Sequence, residues 1–343
     1  MATDPGLRYH GDAELAPGLA DLAVNVRRPE SPEWLRAELA RTRSDLASYS
    51  DPSAAGQAVA AGHGRDASEV LRTAGAAEAL VRIARALKPR RAVIVHPQFT
   101  EPEAALRAAG HPVGRVILRP DNGFRLAGAV IPPEADLLFI GNPTNPTSVL
   151  HPAAELLRFA TAGRVLVVDE AVMDGVPGEP ESLAKYSGLP GLLVVRSLTK
   201  TWALAGLRIG YVLGDATLLA LLRGAQPLWS VSTPALAAAR ACSSAQAVAE
   251  AASLAQEADQ HRRYLMSLLD AIPGVETVGE QRAPFVLVRV PHGDAVRARL
   301  RGKGFAVRRC DTFPGLGPDW LRIAVREPGI CDVFADSLRE VLT

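Results

Sequence analysis

The chain has 343 residues, a length that fits two packed domains better than one ordinary core. Its formal net charge is +1, so nothing in the overall charge favours a nucleic-acid or membrane partner, and no apolar run reaches the roughly 18 residues of a membrane span. Three widely separated cysteines without a CxxC pair argue against a disulfide framework and against a structural zinc site, and the sequence offers no sign of a metal. Since the N-terminus shows no secretory signal, we expect a cytoplasmic protein.

The first part of the chain predicts an arm followed by alternating helices and strands. The arm is rich in Pro, Gly and charge, and a helix is expected from about Pro32 to Leu46. From about residue 70, helical segments alternate with short apolar strands, expected at 92–96, 115–119, 136–141, 165–170, 192–197 and 208–214. This pattern predicts a mainly parallel sheet covered by helices on both faces, with functional residues at the carboxyl ends of the strands.

The pattern changes after about Pro234. An alanine-rich stretch predicts a long helix that links two bodies, and three later runs at 285–290, 305–309 and 321–325 predict a small sheet with helices. We therefore expect an α/β protein with two domains. Residues 1–50 would be an N-terminal arm and helix that belong to the small domain, 51–238 the large domain, and 239–343 the C-terminal small domain.

Lys200 follows a predicted strand in the segment RSLTKTWALAGLRIGY. A lysine nucleophile needs a lowered pKa, which burial and nearby cations provide. Ser197, Thr199 and Arg208 flank it, and two hydroxyls with a guanidinium can hold a phosphate. A lone lysine is usually a surface residue, but these neighbours predict a nucleophilic lysine beside a bound phosphate.

Two polar residues follow neighbouring predicted strands. Asp169 ends VLVVD, where a carboxylate could keep a pyridine nitrogen protonated and make the ring an electron sink. Asn145 lies in GNPTNPTS, where two Asn-Pro steps fix a rigid turn. The alternatives are a helix N-cap for Asp169 and an ordinary turn residue for Asn145, and both stay open at this point.

Three more segments carry weaker signals. The small residues of TAGAAEAL open a helix and expose the amides of Gly75, Ala76 and Ala77, which can bind an anion. Phe99 could stack on a planar cofactor or lie in the core. Arg322, a cation inside an apolar strand, could receive a carboxylate or face solvent.

Taken together, these segments resemble the fold-type I pyridoxal-phosphate enzymes of the aminotransferase class I/II superfamily. The likeness covers almost the whole chain and keeps the family's order of a small-residue helix start, a stacking aromatic, NPxNPT, strand-DEA, SxTK, GLRxG and a C-terminal LRIAV arginine. The lysine segment, HPQFTEPEAAL, RYHGDAEL and DLAVNVRRP are most similar to threonine-phosphate decarboxylases of cobalamin synthesis, above all an actinobacterial subgroup. Histidinol-phosphate aminotransferases are close relatives of these decarboxylases.

The resemblance implies that pyridoxal 5'-phosphate is the cofactor. The implied catalytic residues are Lys200, which would bind the cofactor as a Schiff base, and Asp169, which would pair with the ring nitrogen. Phe99 would stack on the ring and Asn145 would contact the ring oxygen. The implied phosphate contacts are Ala76, Ala77, Ser197, Thr199 and Arg208. Tyr49 would reach the phosphate of the partner subunit in a homodimer, and Arg322 would bind the substrate carboxylate.

Departures from the family pattern bear on the reaction. The family's DEAY or DEAF is DEAV here, so Val172 replaces an aromatic residue. Aminotransferases of the family use that tyrosine hydroxyl on the ring oxygen, whereas the decarboxylases usually have Phe. Ser148 replaces the Gly of NPTG, and Arg27-Arg28 replaces the Asn-Pro of the N-terminal motif, which adds cations suited to an anionic substrate.

We therefore expect decarboxylation of O-phospho-L-threonine to (R)-1-aminopropan-2-yl phosphate in cobalamin biosynthesis. His10 and Asn25 are candidates for the substrate phosphate, and the alternative for His10 is a solvated residue of the arm. The second hypothesis is transamination of histidinol phosphate or an aromatic amino acid. A remote third is a cofactor-binding protein without catalysis.

Overall fold

The protein is described by a computed structural model over residues 5–343, so the first four residues of the predicted arm lie outside the described residues. The helices are α1 (Glu33–Arg41), α2 (Ser53–Gly62), α3 (Gly75–Leu87), α4 (Glu101–Ala108), α5 (Ala153–Leu157), α6 (Ala216–Gly224), α7 (Thr233–Cys242), α8 (Ala245–Asp270), α9 (Gly293–Gly302) and α10 (Pro328–Leu342). The strands are β1 (Ala20–Leu22), β2 (Val70–Thr73), β3 (Ala92–His96), β4 (Val113–Ile117), β5 (Leu137–Gly141), β6 (Val165–Asp169), β7 (Leu192–Ser197), β8 (Gly210–Gly214), β9 (Glu276–Thr277), β10 (Phe285–Arg289), β11 (Phe305–Arg309) and β12 (Trp320–Ala324). Short 3-10 helices Pro5–Arg8 and Gly11–Glu14 form the arm.

The larger sheet has seven strands in the order β2-β8-β7-β6-β5-β3-β4. Neighbours from β4 to β7 run parallel, whereas β8 is antiparallel to β7 and β2 is antiparallel to β8. The strands β3, β5, β7 and β8 are buried along their whole length, as continuous apolar runs of a doubly covered sheet should be. The predicted α/β fold with a mainly parallel sheet is confirmed.

The parallel strands bring the polar residues of separate motifs to one edge. β6 ends at Asp169 and β7 ends at Ser197, three residues before Lys200. β5 ends at Gly141, four residues before Asn145. Because parallel strands point the same way, these chain ends open onto one crevice, the usual ligand position in such sheets.

The smaller sheet has the order β1-β11-β12-β10-β9 and packs its own apolar core against α8, α9 and α10. The N-terminal segment contributes β1, which pairs in parallel with β11 through Leu22 and Val307. The helix α1 packs on α7, and its buried Leu35 belongs to the core of the larger sheet. The predicted residue limits of the two domains stay a prediction.

The predicted linking helix is wrong in one respect, because it is two helices. α7 ends at Cys242, and the hydroxyl oxygen of Ser244 accepts a hydrogen bond from the Ala247 amide to cap the start of α8. Serine at this position competes with helix continuation by satisfying a free amide at the new helix start. The first predicted helix likewise ends early, at Arg41, and continues as a 3-10 turn to Asp45. Among residues 5–343, none of the helices is both long and apolar enough to cross a membrane.

Candidate active site

A cavity of about 600 Å³ lies between the carboxyl edge of the larger sheet and the smaller sheet. All but one of the residues predicted for the site line it. They are His10, Asn25, Ala76, Ala77, Phe99, Asn145, Asp169, Ser197, Thr199, Lys200, Arg208 and Arg322. Segments up to 312 residues apart in sequence therefore share one space, which is what a ligand site built from several motifs requires.

Tyr49 is the exception, because its side chain does not line the cavity. Tyr49 is 78% exposed, and its ring stacks on Trp229 with ring centroids 4.1 Å apart and an interplanar angle of 21°. Leu228 beside them is also exposed. Two stacked aromatic rings and a leucine on the surface form an apolar patch that suits a protein contact.

Lys200 is held by contacts on both sides of its backbone. Its carbonyl accepts a hydrogen bond from the Arg27 amide at 3.1 Å, and the hydroxyl of the next residue, Thr201, donates to the Asp174 carboxylate. Burial, followed by the charges of Arg322 and Arg208, lowers the pKa of Lys200 to about 8. The amine is therefore partly neutral near physiological pH and can act as a nucleophile or a base.

Asp169 presents a carboxylate to the same cavity. One of its oxygens accepts a hydrogen bond from the Ala171 amide at 3.0 Å. Burial raises the pKa of Asp169 to about 6, although the Ala171 amide and Lys200 both favour its charged form. A buried carboxylate of this kind is stabilised by a cationic group placed against it.

A concave cationic cradle lies at the start of α3. Gly75 has a positive φ of 81°, and a side chain there would collide with the guanidinium of Arg208. The backbone conformation therefore favours glycine here, and the absence of a side chain lets the Arg208 guanidinium come close to the start of the helix. The amides at this helix start and the Arg208 charge together form a site for a phosphate group.

Arg322 and Asn145 are in direct contact in the cavity. Arg322 Nη1 donates to Asn145 Oδ1 at 2.6 Å, and Arg322 Nη2 donates to the Ala23 carbonyl. Arg322 is only 4% exposed, so the solvated alternative for it is wrong. Because Asn145 accepts through Oδ1, its amide hydrogens remain for a ligand atom.

The arm residue His10 also faces this space. Its Nε2 bonds the Glu101 carboxylate at 2.7 Å, and its ring lies 5.2 Å from the Phe99 ring. His10 is therefore fixed by packing, and the alternative of a freely solvated residue is wrong. Asn25 is buried, and its Oδ1 has no hydrogen-bond partner within the described part of the chain.

Sequence reasoning missed Arg308, Arg8 and Glu101, which also line the cavity. Arg308 stacks between the rings of Tyr9 and Phe313, each 4.8 Å from the guanidinium carbon. The available signal was the first arginine of the run FAVRR, a cation within an apolar strand whose partner strand carries Arg322. Only the strand register, which the sequence does not display, places the two arginines side by side.

Comparison with known proteins gives consistent matches. The family described as aminotransferase class I and II matches residues 18–338. A Mycobacterium tuberculosis protein named histidinol-phosphate aminotransferase is 49% identical over 322 residues, 93% of this chain and 87% of the relative. Threonine-phosphate decarboxylase of Salmonella typhimurium is 34% identical and covers 84% of this chain and 80% of its own length.

A solved structure matches over nearly the same length. It is the histidinol-phosphate aminotransferase from Sinorhizobium meliloti in complex with pyridoxal-5'-phosphate, with a TM-score of 0.80. The alignment covers 93% of this chain and 89% of that chain at 21% identity, so it establishes a shared fold.

Proposed function

Because the chain belongs to the aminotransferase class I and II family, we propose that it transfers the amino group of a phosphorylated amine such as histidinol phosphate to an oxo acid. The family and the 49% identical relative support amino transfer ahead of decarboxylation, the reverse of the order that the sequence favoured. The 34% identical relative keeps a phosphorylated amino acid as the second candidate substrate.

The cofactor is pyridoxal 5'-phosphate, and the residues of the cavity fit it. When bound, this group supplies an aldehyde that condenses with amines and a ring that accepts electrons. We propose that Lys200 holds it covalently and that the Asp169 carboxylate, which is destabilised by burial, pairs with its ring nitrogen. The cradle of Gly75 and Arg208 would hold its phosphate.

The remaining predicted contacts would orient the ring. Phe99 would stack on one ring face, and the Asn145 amide would donate to the ring oxygen. Ser197 and Thr199 would add hydroxyls to the cradle, and Ala76 and Ala77 would add backbone amides.

The observation that carries the proposal is a pair of arginines, Arg308 and Arg322, in the cavity that contains Lys200. They are cross-strand partners on β11 and β12, so two guanidiniums stand side by side. Two buried cations repel each other unless anions neutralise them, so a substrate with a phosphate or a pair of carboxylates fits best. Arg322 would take the carboxylate of an amino or oxo acid, and Arg308, His10 and Asn25 would take the phosphate.

The chain's own residues would supply the proton chemistry. With its pKa lowered to about 8, the Lys200 amine can remove a proton from the substrate carbon and return it at another position. The Asp174 contact to Thr201 and the Arg27 contact to the Lys200 carbonyl would keep that amine in place. A base needs such fixed geometry before its pKa matters.

We also propose that the working unit is a homodimer in which Tyr49 completes the site of the partner subunit. The exposed patch of Tyr49, Leu228 and Trp229 supports this, since such a surface is normally covered. Two residues before Leu228, the Gln226 side chain donates to the Arg72 carbonyl of β2 at 2.9 Å, and β2 leads into the start of α3.

The test separates the two half-reactions. Purified enzyme is mixed with histidinol phosphate alone, and the near-visible absorbance of the bound cofactor is followed. The proposal expects that absorbance to disappear and to return when 2-oxoglutarate is added. Persistence of the absorbance with histidinol phosphate and with aromatic amino acids would contradict amino transfer.

One observation favours decarboxylation of O-phospho-L-threonine as a second candidate. Val172 lines the cavity and packs with Ala283 and Phe285. It occupies the position of the tyrosine that the resemblance implies for aminotransferases, so the tyrosine hydroxyl is missing at this position. The discriminating measurement is carbon dioxide release from O-phospho-L-threonine, with product identified as an amino-propanol phosphate. Release without loss of the cofactor absorbance would establish this reaction in place of amino transfer.

A further inference from the structure

We infer that Glu101 is a positioning residue that selects phosphorylated substrates by fixing two basic residues of the N-terminal arm, Arg8 and His10, at the cavity. This inference rests on the proposed function, because it concerns how the phosphate of the substrate is recognised. Glu101 is the first residue of α4 and lines the cavity itself.

Each of the two oxygens of the Glu101 carboxylate bonds one of these two basic side chains. Oε1 accepts from His10 Nε2 at 2.7 Å, and Oε2 accepts from Arg8 Nη1 at 2.9 Å. The Glu101 side chain is only 8% exposed, whereas that of Arg8 is 51% exposed. A buried carboxylate that bonds two partly exposed basic side chains restricts where they point, above all the long side chain of Arg8, which is otherwise free to adopt many rotamers.

The arm has little secondary structure of its own to fix these side chains. Its residues 5–14 form two four-residue 3-10 helices, and the Thr100 hydroxyl at the start of α4 donates to the Leu7 carbonyl at 2.7 Å. A side chain added to Gly11 would collide with the Ala23 carbonyl and come within 3.5 Å of Arg322 Nη2. His10 is therefore held immediately beside the arginine pair.

A carboxylate close to a phosphate site has two opposing effects. It repels the phosphate directly, and it orders the basic side chains that bind the phosphate. One Glu101 oxygen already pairs with the Arg8 guanidinium and the other bonds His10 Nε2, so the charge of the carboxylate is partly neutralised before substrate arrives. The ordering effect should therefore exceed the repulsion, which fixes the sign of the expected result.

The test compares Glu101→Gln with the wild-type holoenzyme on two substrates. We expect the KM for the phosphorylated substrate to rise about tenfold, the size of a lost hydrogen bond to a charged group. The KM for 2-oxoglutarate and the cofactor absorbance should stay unchanged, which also shows that the variant is folded. Tighter binding of the phosphorylated substrate, or an equal rise for both substrates, would overturn the inference.

Two further variants separate positioning from loss of arm docking. If Glu101 acts through His10, the double variant Glu101→Gln, His10→Gln should have a KM for the phosphorylated substrate no higher than that of the poorer single variant. Increases in KM that add up in the double variant would contradict this. Thr100→Val removes a separate hydrogen bond to the arm, the one to the Leu7 carbonyl, and should leave both KM values near wild type. A loss in Thr100→Val equal to that in Glu101→Gln would show that docking of the arm alone matters.

The same data distinguish the inference from the proposed function. If wild-type enzyme shows neither a change in cofactor absorbance nor turnover with any phosphorylated amine or amino acid, the proposed function fails and the inference fails with it. If wild-type enzyme turns over such a substrate and Glu101→Gln does so with the same KM, the inference alone fails.

Discussion

Arg308 and Arg322 are direct cross-strand partners in the smaller sheet, and both side chains reach the cavity that contains Lys200. Burial, followed by the charge of Arg308, lowers the pKa of Arg322. A guanidinium nevertheless stays charged in proteins, so this pair keeps two positive charges in a buried site. Such an arrangement is unfavourable in isolation and becomes favourable when a ligand supplies negative charge.

The first prediction concerns Arg308. The change Arg308→Gln should raise the KM for the phosphorylated substrate about 10- to 100-fold, since a hydrogen bond to a charged group is worth roughly 1.5–3 kcal/mol. Arg308→Lys should recover only part of this loss, because a planar guanidinium fits between the Tyr9 and Phe313 rings and an ammonium does not. Steady-state kinetics with both substrates measure the effect.

The matched control is Arg309, the next residue on β11. Its side chain pairs with Asp311 outside the cavity, with Nε donating at 2.6 Å. Successive strand residues point to opposite faces, so Arg309→Gln should leave the KM near wild type. Equal losses in the two variants would mean that general positive charge, and not the position of Arg308, attracts the substrate.

The second prediction concerns the pH dependence of cofactor binding. The pKa of Lys200 is lowered from its ordinary 10.5 to about 8, so the amine is mostly protonated below pH 8 and neutral above it. Since only the neutral amine attacks an aldehyde, the rate of pyridoxal-phosphate incorporation into apoenzyme should rise through about pH 8 and then level off. Stopped-flow absorbance gives the profile.

A charge variant checks the cause of this shift. Burial is the larger cause and Arg322 the second, so Arg322→Met should move the midpoint upward by less than about one pH unit. A wild-type midpoint near pH 10, or a midpoint that moves downward in the variant, would contradict the assigned environment of Lys200.

The third prediction is an opposition between stability and activity at Asp169. Burial raises its pKa from 3.8 to about 6, so its charged form is disfavoured in the folded apoenzyme. Ionisation of Asp169 therefore lowers the free energy of unfolding of the apoenzyme. This loss of stability is absent below the unfolded pKa of 3.8, grows as the pH rises, and is complete above about pH 6. At 1.36 kcal/mol per pKa unit, the loss of stability reaches about 3 kcal/mol. The variant Asp169→Asn cannot ionise, so its apoenzyme should be more stable than wild type by about this amount at neutral pH.

The same variant should lose activity. Without a carboxylate to pair with the ring nitrogen, turnover should fall by about 10²–10³, the usual cost of removing one fixed electrostatic group from an active site. Denaturant unfolding of apoenzyme at pH 4 and pH 7.5 gives the stability difference, which should narrow at the lower pH. An apoenzyme that is less stable than wild type at pH 7.5 would refute the assigned burial cost.

The sequence was informative wherever a local pattern carried the structure. The apolar run at 92–96 is β3 and the run at 192–197 is β7, because a strand buried on both faces needs continuous apolar residues. Lys200, Asp169 and Asn145 could be placed together because parallel strands end at one edge of a sheet. For these residues, the order of strands along the chain was enough to predict that they share one site.

The sequence was less informative where long-range contacts decide the structure. Arg308 joins the site through its register with Arg322, and Glu101 joins it through two residues of an arm more than 90 positions earlier. The strand β2 has only four residues, VLRT, and it forms because it pairs with β8. Contacts of this kind depend on tertiary packing, which overrides the weak preferences of short segments.

The fourth prediction concerns Tyr49, whose ring is exposed and stacked on Trp229 outside its own cavity. If it serves the site of a partner subunit, Tyr49→Phe should weaken cofactor binding about tenfold while leaving the ring stack intact. Because a two-fold dimer exchanges identical surfaces, a hybrid can identify which subunit's site Tyr49 serves.

Mixing Lys200→Ala subunits with Tyr49→Phe subunits provides that hybrid. The subunit that keeps Lys200 then receives Tyr49 from its neighbour, so its cofactor affinity should return to the wild-type value. The separate Tyr49→Phe protein is the control, and it should keep the weakened affinity in the same titration. If Tyr49 served its own subunit, the Lys200-bearing site of the hybrid would bind cofactor as weakly as the control, because that same subunit carries the Tyr49→Phe change.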